Sequence, residues 1–361
     1  TNRAGTQRIK KNGGAGMKRK LKRAETLDFA HALALTAAAP EAYAAEPQER
    51  MLVPMGCAVG IQLQTNGVLV VALSAAENGS APSPAAQAGI LPGDLIVKLG
   101  GAKIASAEDF RKAAGSLTGE PVEVEVRRGE ETKTLKLTPD VKSGAPELGL
   151  WLRDSVTGVG TMTYYDPQTG LFGCLGHSIS DAESGVTIPL GRGDLFRATV
   201  VGIKKSSPGT PGELRGDFAA QSPCGSILKN TRCGVFGTLK TNQPDPKKAV
   251  PAADEDEIHL GEASVIMNLS GSETQSYTVS ITRVYRGDTD GRSLMLTVTD
   301  KRLIDSAGGI VQGMSGSPIM QDGKIIGAVT HVLVSDPTKG FGVSVEKMLG
   351  ETKELETENA A

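Results

Sequence analysis

Aromatic residues are scarce in this chain: 4% of its 361 residues, with a single Trp. Helical bundles built on large side chains are therefore disfavoured, and small side chains must fill the core. Histidine is scarcer still, with four in all, so any site needing an imidazole has few places to find one. Four cysteines, Cys57, Cys174, Cys224 and Cys233, form no pair of close Cys-x-x-Cys knuckles. A zinc site built from Cys174, His177, Cys224 and Cys233 would need that spacing, so no metal and no cofactor is expected. Cys224 and Cys233 flank a loop and are read either as free thiols or as a disulfide in an exported protein. No apolar run reaches the ~18 residues that cross a bilayer as a helix. Beyond residue 23 there is no excess of positive charge: nine basic residues and no acid lie in 1–23, and the rest carries 30 basic against 41 acidic residues. Phosphate contacts need clustered Lys and Arg, so nucleic acid is not an expected partner.

What the chain does have is glycine, 45 residues of it, spaced between short apolar stretches. That pattern is mainly β. Residues 1–50 read as a basic, disordered leader. Met17-Lys18-Arg19-Lys20 opens an export-like segment, and Ala42-Tyr43-Ala44 fits a small-x-small cleavage site. Strands are expected over 58–63 and 67–73, a loop over 78–84, a helix over 106–116 and a strand over 122–126. Residues 139–147 read as a linker. Short strands then follow with hardly a helix, the signature of a barrel or sandwich. The acidic run Asp254 to Glu257 reads as a solvated surface loop. The acidic end, residues 350–361, is expected to be disordered.

Chemistry concentrates near the end, at Gly313-Met314-Ser315-Gly316-Ser317-Pro318, a tight loop feeding a hairpin through Asp322-Gly323. Glycines let the backbone approach a substrate closely. The N–H groups of Gly313 and Ser315 can converge on one oxyanion. A serine hydroxyl also needs a base, usually a histidine oriented by a carboxylate. His31 lies in the leader. His259 follows the acidic run and is expected on the surface. His331 shares an alternating strand face with Val329 and Leu333, which reads as structural. His177 ends an apolar strand at Gly176 and is the remaining candidate base. For the orienting acid, Asp181, Asp194, Asp217 and Asp300 stay open on the residues alone.

Two resemblances sharpen this reading. Ala88-Gly89-Ile90-Leu91-Pro92-Gly93-Asp94-Leu95-Ile96, followed by a helix and two strands, resembles a PDZ domain, which implies a peptide added as a β-strand. The matching carboxylate loop is Met55 to Ile61, with Gly56, Val59, Gly60 and Ile61 as the peptide-binding positions. The nucleophile loop is similar to the Gly-Asp-Ser-Gly-Gly-Pro loop of trypsin-like peptidases, with Met314 in place of the Asp used in zymogen activation. The chain as a whole resembles the SpoIVB family, PDZ-containing serine peptidases of endospore-forming bacteria. The blocks Leu52 to Gly56, Leu175-Gly176-His177, Val298 to Ile319 and Gly327 to Val332 carry that likeness.

The resemblance implies a PDZ domain over 51–140, followed by a trypsin-like double β-barrel over 148–349. It implies Ser315 as nucleophile, His177 as base and Asp300 as acid. It further implies export across the forespore membrane into the intermembrane space, with membrane association through the N-terminus. The implied activity is cleavage of a membrane-anchored regulatory protein, which triggers sigma-K activation, with self-processing and PDZ-mediated regulation. The competing expectation is a PDZ adaptor on an inactive barrel, binding peptide without cleaving it.

Overall fold

A computed structural model describes residues 49–74, 82–142, 145–218, 222–287 and 291–359. The basic arm, the cleavage-site triplet and most of the loop expected over 78–84 lie outside the described residues. No helix among those described is long and apolar enough to cross a membrane.

Two strands of sixteen residues organise the first half. The entering strand is Ala58–Leu73 and the returning strand is Leu150–Tyr165. They pair antiparallel along nearly their whole length, from Ala58↔Thr161 to Leu73↔Leu150. Between Gln64 and Leu69 the register skips, and Asp154 alone stands opposite residues 65–68. Gly67 there has φ +149°, and a side chain on it would come within 2.7 Å of the Ile96 carbonyl oxygen, so the bulge needs glycine.

On one side of this bulge the two strands belong to a closed ring. The entering strand pairs with Arg192–Arg197, which pairs with Gly225–Thr231, then Gly234–Leu239, Leu171–Cys174 and back to the returning strand. Its interior is filled by Val59, Ile61, Leu63, Phe172, Leu195 and Val235. Alternation along the strands supplies this inward face.

On the other side the same strands enter the PDZ unit. Val68 and Leu69 pair with Ile96 and Leu95, and that strand continues through Val122–Arg128 to Glu131–Leu137. Helix Ala107–Gly115 starts at Ser106, whose hydroxyl accepts the Asp109 N–H, and buries Phe110. The Gly93-Asp94 pair of the PDZ signature has a structural reason. Fully buried Asp94 accepts the Leu91 N–H at 2.9 Å and pairs with Arg128 at 2.6 Å. The PDZ unit is thus not an N-terminal domain followed by a peptidase, as the sequence suggests. It is inserted into the first hairpin of the first barrel.

The second barrel is closed by six strands, Gly261–Met267, Gln275–Val284, Leu294–Val298, Lys339–Ser344, Lys324–Val332 and Pro318–Gln321. Val265, Val279, Leu296, Met314 and Ile319 lie in its core. Helix Lys301–Ala307 packs beside it and ends at Gly308 in the left-handed conformation.

The acidic end departs from the expected disorder. Residues Lys353–Asn359 form a helix that ties back to the first barrel. Leu355 buries against the cluster holding Leu52, Tyr164 and Met348, Glu356 pairs with Arg50, and Glu354 pairs with Lys229. An acidic helix far from its partners in sequence reads as a tail, because only these long-range contacts order it.

Candidate active site

A cavity of about 920 Å³ opens between the two barrels. His177, Leu175 and Asp181 line it from the first barrel, and Gly313, Ser315, Thr330 and His331 from the second. The structure therefore brings the expected nucleophile and base to one cleft.

His177 follows a short apolar strand through a sharp reversal. Leu175 at φ +68° and Gly176 at φ +71° are consecutive left-handed residues. Leucine rarely adopts that conformation, and strain of this kind is stored at functional turns. A side chain at Gly176 would come within 2.9 Å of Thr330 in the opposite barrel. His177 Nδ1 lies 2.8 Å from the Ser178 carbonyl oxygen. A carbonyl only accepts, so Nδ1 carries the proton and Nε2 of the neutral ring keeps its lone pair. Burial pushes the His177 pKa below its ordinary value, against a smaller upward pull from the Ser178 carbonyl. The ring is thus neutral and basic at neutral pH.

The nucleophile loop is clasped by the returning strand. Thr161 N–H donates to the Ser315 carbonyl at 3.0 Å, Thr161 Oγ1 donates to the Gly313 carbonyl at 2.8 Å, and the Leu175 N–H donates to the Thr161 carbonyl at 3.2 Å. One residue thereby fixes the nucleophile loop and the turn that carries the base. Gly316 sits inside this clasp, where a Cβ would come within 2.0 Å of the Thr161 oxygen. The N–H groups of Met314, Gly316 and Ser317 are bonded within the second barrel. Those of Gly313 and Ser315 donate to no protein group among the described residues, which leaves both available to an oxyanion. Ser315 Oγ donates to the Thr330 carbonyl at 2.6 Å.

His331 is the site residue that alternation misplaced. Its ring centroid lies 5.1 Å from that of His177, at the cavity wall. The strand carries a register shift between Val329 and His331, two positions facing one step of its partner. Such a bulge reverses the parity of all that follows, so His331 does not share the face of Val329. Desolvation of the ring, with His177 and Arg292 nearby, lowers the His331 pKa to about 4. His259, as expected, is exposed and pairs with Asp322.

Asp300 is not brought to His177. It caps helix Lys301–Ala307, accepts the Arg302 N–H at 2.9 Å and pairs with the Arg302 guanidinium at 2.7 Å. Arg302 holds its carboxyl down to about 2. Asp181 lines the cavity but pairs with Arg153, and Asp194 pairs with Arg192. Among the described residues the orienting group on His177 is the Ser178 carbonyl, with no carboxylate.

The proposed peptide-binding positions also move. Val59, Gly60 and Ile61 are paired on both sides inside the first barrel, with Arg197, Phe196 and Leu195 on one flank and Gly160, Val159 and Gly158 on the other. Gly56, at φ +68°, donates its N–H to the Met162 carbonyl, and a side chain there would meet Ile266. No edge remains for a peptide at these residues. The open PDZ edge is on the returning strand, at Leu150 to Arg153, which among the described residues pairs on one side only and runs beside helix Ala107–Gly115. Gly149 at φ +72° turns the chain into it, and Trp151 is 62% exposed on it. The signal in sequence was Leu148-Gly149-Leu150-Trp151, which sits after the PDZ helix and strands instead of before them.

The four cysteines are free. Cys224 and Cys233 stand at opposite ends of strand Gly225–Thr231, which spans about 20 Å at 3.3 Å per residue, so they do not bond. No cluster of metal-ligating side chains occurs among the described residues.

A serine and a histidine brought to one cleft by two β-barrels, with two free backbone donors at the serine, are the arrangement of double-barrel serine peptidases. The sequence profile of the SpoIVB peptidase S55 family matches residues 144–349, more than half of the chain, and a PDZ profile matches residues 58–138. The chain belongs to the SpoIVB peptidase S55 family. It is also similar to the serine protease HTRA2 of Bos taurus, 44% identical over 59 residues, or 16% of this chain and 12% of that protein. HhoB of Synechocystis sp., a serine protease by name, is 36% identical over 85 residues, 22% of this chain and 20% of its own. The chain thus spans about a fifth or less of these relatives, too little to carry their activities across. The solved Rv3671c protease of M. tuberculosis, in its active form, aligns over 55% of this chain and 73% of its own, at 16% identity and a TM-score of 0.33. That likeness is too loose to argue from.

Proposed function

We propose that the protein is a serine endopeptidase of sporulation signalling, which cleaves a membrane-anchored regulatory protein and processes itself. The observation that carries the peptidase reading is the meeting of Ser315, neutral His177 and the unpaired N–H groups of Gly313 and Ser315 in one cleft. Family membership supports the substrate class and the link to sigma-K activation. Export into the space between the forespore and mother-cell membranes belongs to the same reading.

The geometry supports a mechanism of acyl transfer through Ser315. Ser315 Oγ turns from the Thr330 carbonyl toward His177 Nε2, gives up its proton there and attacks the scissile carbonyl. The developing oxyanion is held by the N–H groups of Gly313 and Ser315. His177 then returns the proton to the leaving amine, and water repeats the sequence on the acyl-enzyme. An incoming peptide competes with Ser315 for the Thr330 carbonyl, since its own N–H groups add along that strand. Substrate arrival therefore frees the nucleophile. A partner peptide docks separately, as an added strand beside Leu150 to Arg153 on the PDZ unit.

The test is incubation of purified protein with and without Ser315→Ala, mapping new N-termini and labelling with a fluorophosphonate. The variant is expected to fold, to resist labelling and to yield no self-cleaved product. Cleavage that persists in the variant removes Ser315 as nucleophile. A wild-type protein that binds peptide and takes no label is an adaptor.

A further inference from the structure

We propose that the pocket beside Ser315, which receives the residue on the acyl side of the scissile bond, is a short apolar one that selects small side chains such as Ala, Val and Thr, and that Ile310 sets its depth. This rests on the reading of Ser315 as nucleophile.

The position of the pocket follows from two constraints. The attacked carbonyl oxygen must face the N–H groups of Gly313 and Ser315. The substrate backbone must run along strand Lys324–Val332 next to Thr330. Its partner strand on that flank ends with the Pro318↔Ala328 pair, beyond which the Val329 N–H donates to the Ser317 carbonyl. Over Thr330 to Val332 that edge is taken, among the described residues, only by the Ser315 hydroxyl. The acyl-side residue then projects between the segment 310–313 and the segment 330–332. Ile310, Val311, Gln312 and Val332 line the cavity there.

The depth is limited from behind by strand Lys339–Ser344. A Cβ on Gly340 would come within 2.5 Å of Ile310 Cδ1 and 2.7 Å of the His331 carbonyl oxygen. The absence of a side chain at Gly340 therefore leaves room for the Ile310 side chain and not for substrate. Ile310 is 4% exposed and its N–H is pinned to the Pro337 carbonyl at 2.8 Å, so it cannot swing away cheaply. The charge character is equally clear. Residues 308–317, 328–333 and 340–343 contain no Asp, Glu, Lys or Arg. A basic or acidic side chain entering this pocket would lose its hydration and meet no charged group within these segments. The charged residues lining the cavity are Asp181, Arg232 and Arg292. Asp181 is paired with Arg153, and Arg292 lies over the Phe341 ring.

The experiment is a cleavage profile of the full chain on a mixed peptide library, with the fluorophosphonate-labelled fraction measured in parallel. Peptides with Ala, Val or Thr at the acyl-side position should be cut about tenfold or more faster than those with Lys, Glu or Phe, within the range that pocket fit supplies. Ile310→Ala should raise cleavage after Leu or Phe about tenfold relative to Ala. Ile310→Val, which trims one methyl and keeps the core filled, should move the ranking the same way by a smaller factor. A wild-type preference for charged or aromatic residues overturns the pocket assignment alone, as does an unchanged ranking in a labelled Ile310→Val protein. A protein that takes no label and cuts no peptide overturns the peptidase reading, and the pocket with it.

Discussion

His177 and His331 face each other across one end of the cleft, and both resist protonation. For His177 the cause is burial, opposed by the Ser178 carbonyl. For His331 it is desolvation, with His177 and Arg292 adding to it, and its pKa falls to about 4. Two consequences follow for pH. The acid limb of kcat/KM should have its midpoint below 6.5, the ordinary value for histidine, because His177 stays unprotonated further into acid. Stability should be fully present above pH 6.5 and decline between 6.5 and about 4, because the unfolded chain takes up protons there that the native site refuses. A pH–rate profile and denaturant titrations at several pH values measure the two separately. Asp300 makes a different prediction at the same scale. As the cap of helix Lys301–Ala307 it acts through the fold, so Asp300→Ala should cost about 1 kcal/mol. Activity should fall in step with stability. Asp300→Asn, an equally good cap, should recover much of both, which a proton-orienting carboxylate would not permit.

Single elements show what alternation can and cannot convey. The helix near 106–116 was legible because Ser106 caps it and Phe110 marks its inner face. The strand carrying His177 was legible from Leu171 to Cys174, four buried residues in a row. The strand carrying His331 was not, because one bulge inverts its pattern and nothing in the local residues announces it. The returning strand hid differently. Its first four residues complete the PDZ sheet and its last six are buried, so no single pattern covers it. The C-terminal helix was illegible because its order comes from Arg50, Lys229 and the Leu52 cluster, far away in sequence. Leu355→Ala should therefore lower the unfolding free energy by about 2 kcal/mol, the low end for a buried leucine at a rim. Chemical denaturation reads it directly, and an unchanged midpoint would return residues 353–359 to a loose tail.

At the scale of the whole molecule, the order of motifs along the chain concealed their nesting. A PDZ signature ahead of a peptidase signature reads as two domains in series. The pairing of residues 58–64 with both flanks of the first barrel shows one domain set inside the other. Removal of residues 58–138 should therefore give an insoluble chain, because it takes out a barrel strand. Joining residue 64 to residue 155 through a short turn should leave a soluble protein with both barrels intact. Solubility and circular dichroism of the two deletions distinguish nested from serial domains.

Nesting also changes what the PDZ unit can do with a captured peptide. In a serial arrangement a linker lets the held peptide roam, and its concentration at the catalytic cleft depends on linker length. Here the connection is a two-ply ribbon, broken between Arg153 and Thr161 by one bulge. Arg153 at the PDZ edge and Thr161 at the nucleophile loop are eight residues apart on one strand, about 26 Å at 3.3 Å per residue. A polypeptide anchored at the first point reaches the second only if its own span matches that fixed length. The ribbon would then act as a ruler, and cleavage would fall at a set distance from the docking segment instead of wherever a favourable residue occurs.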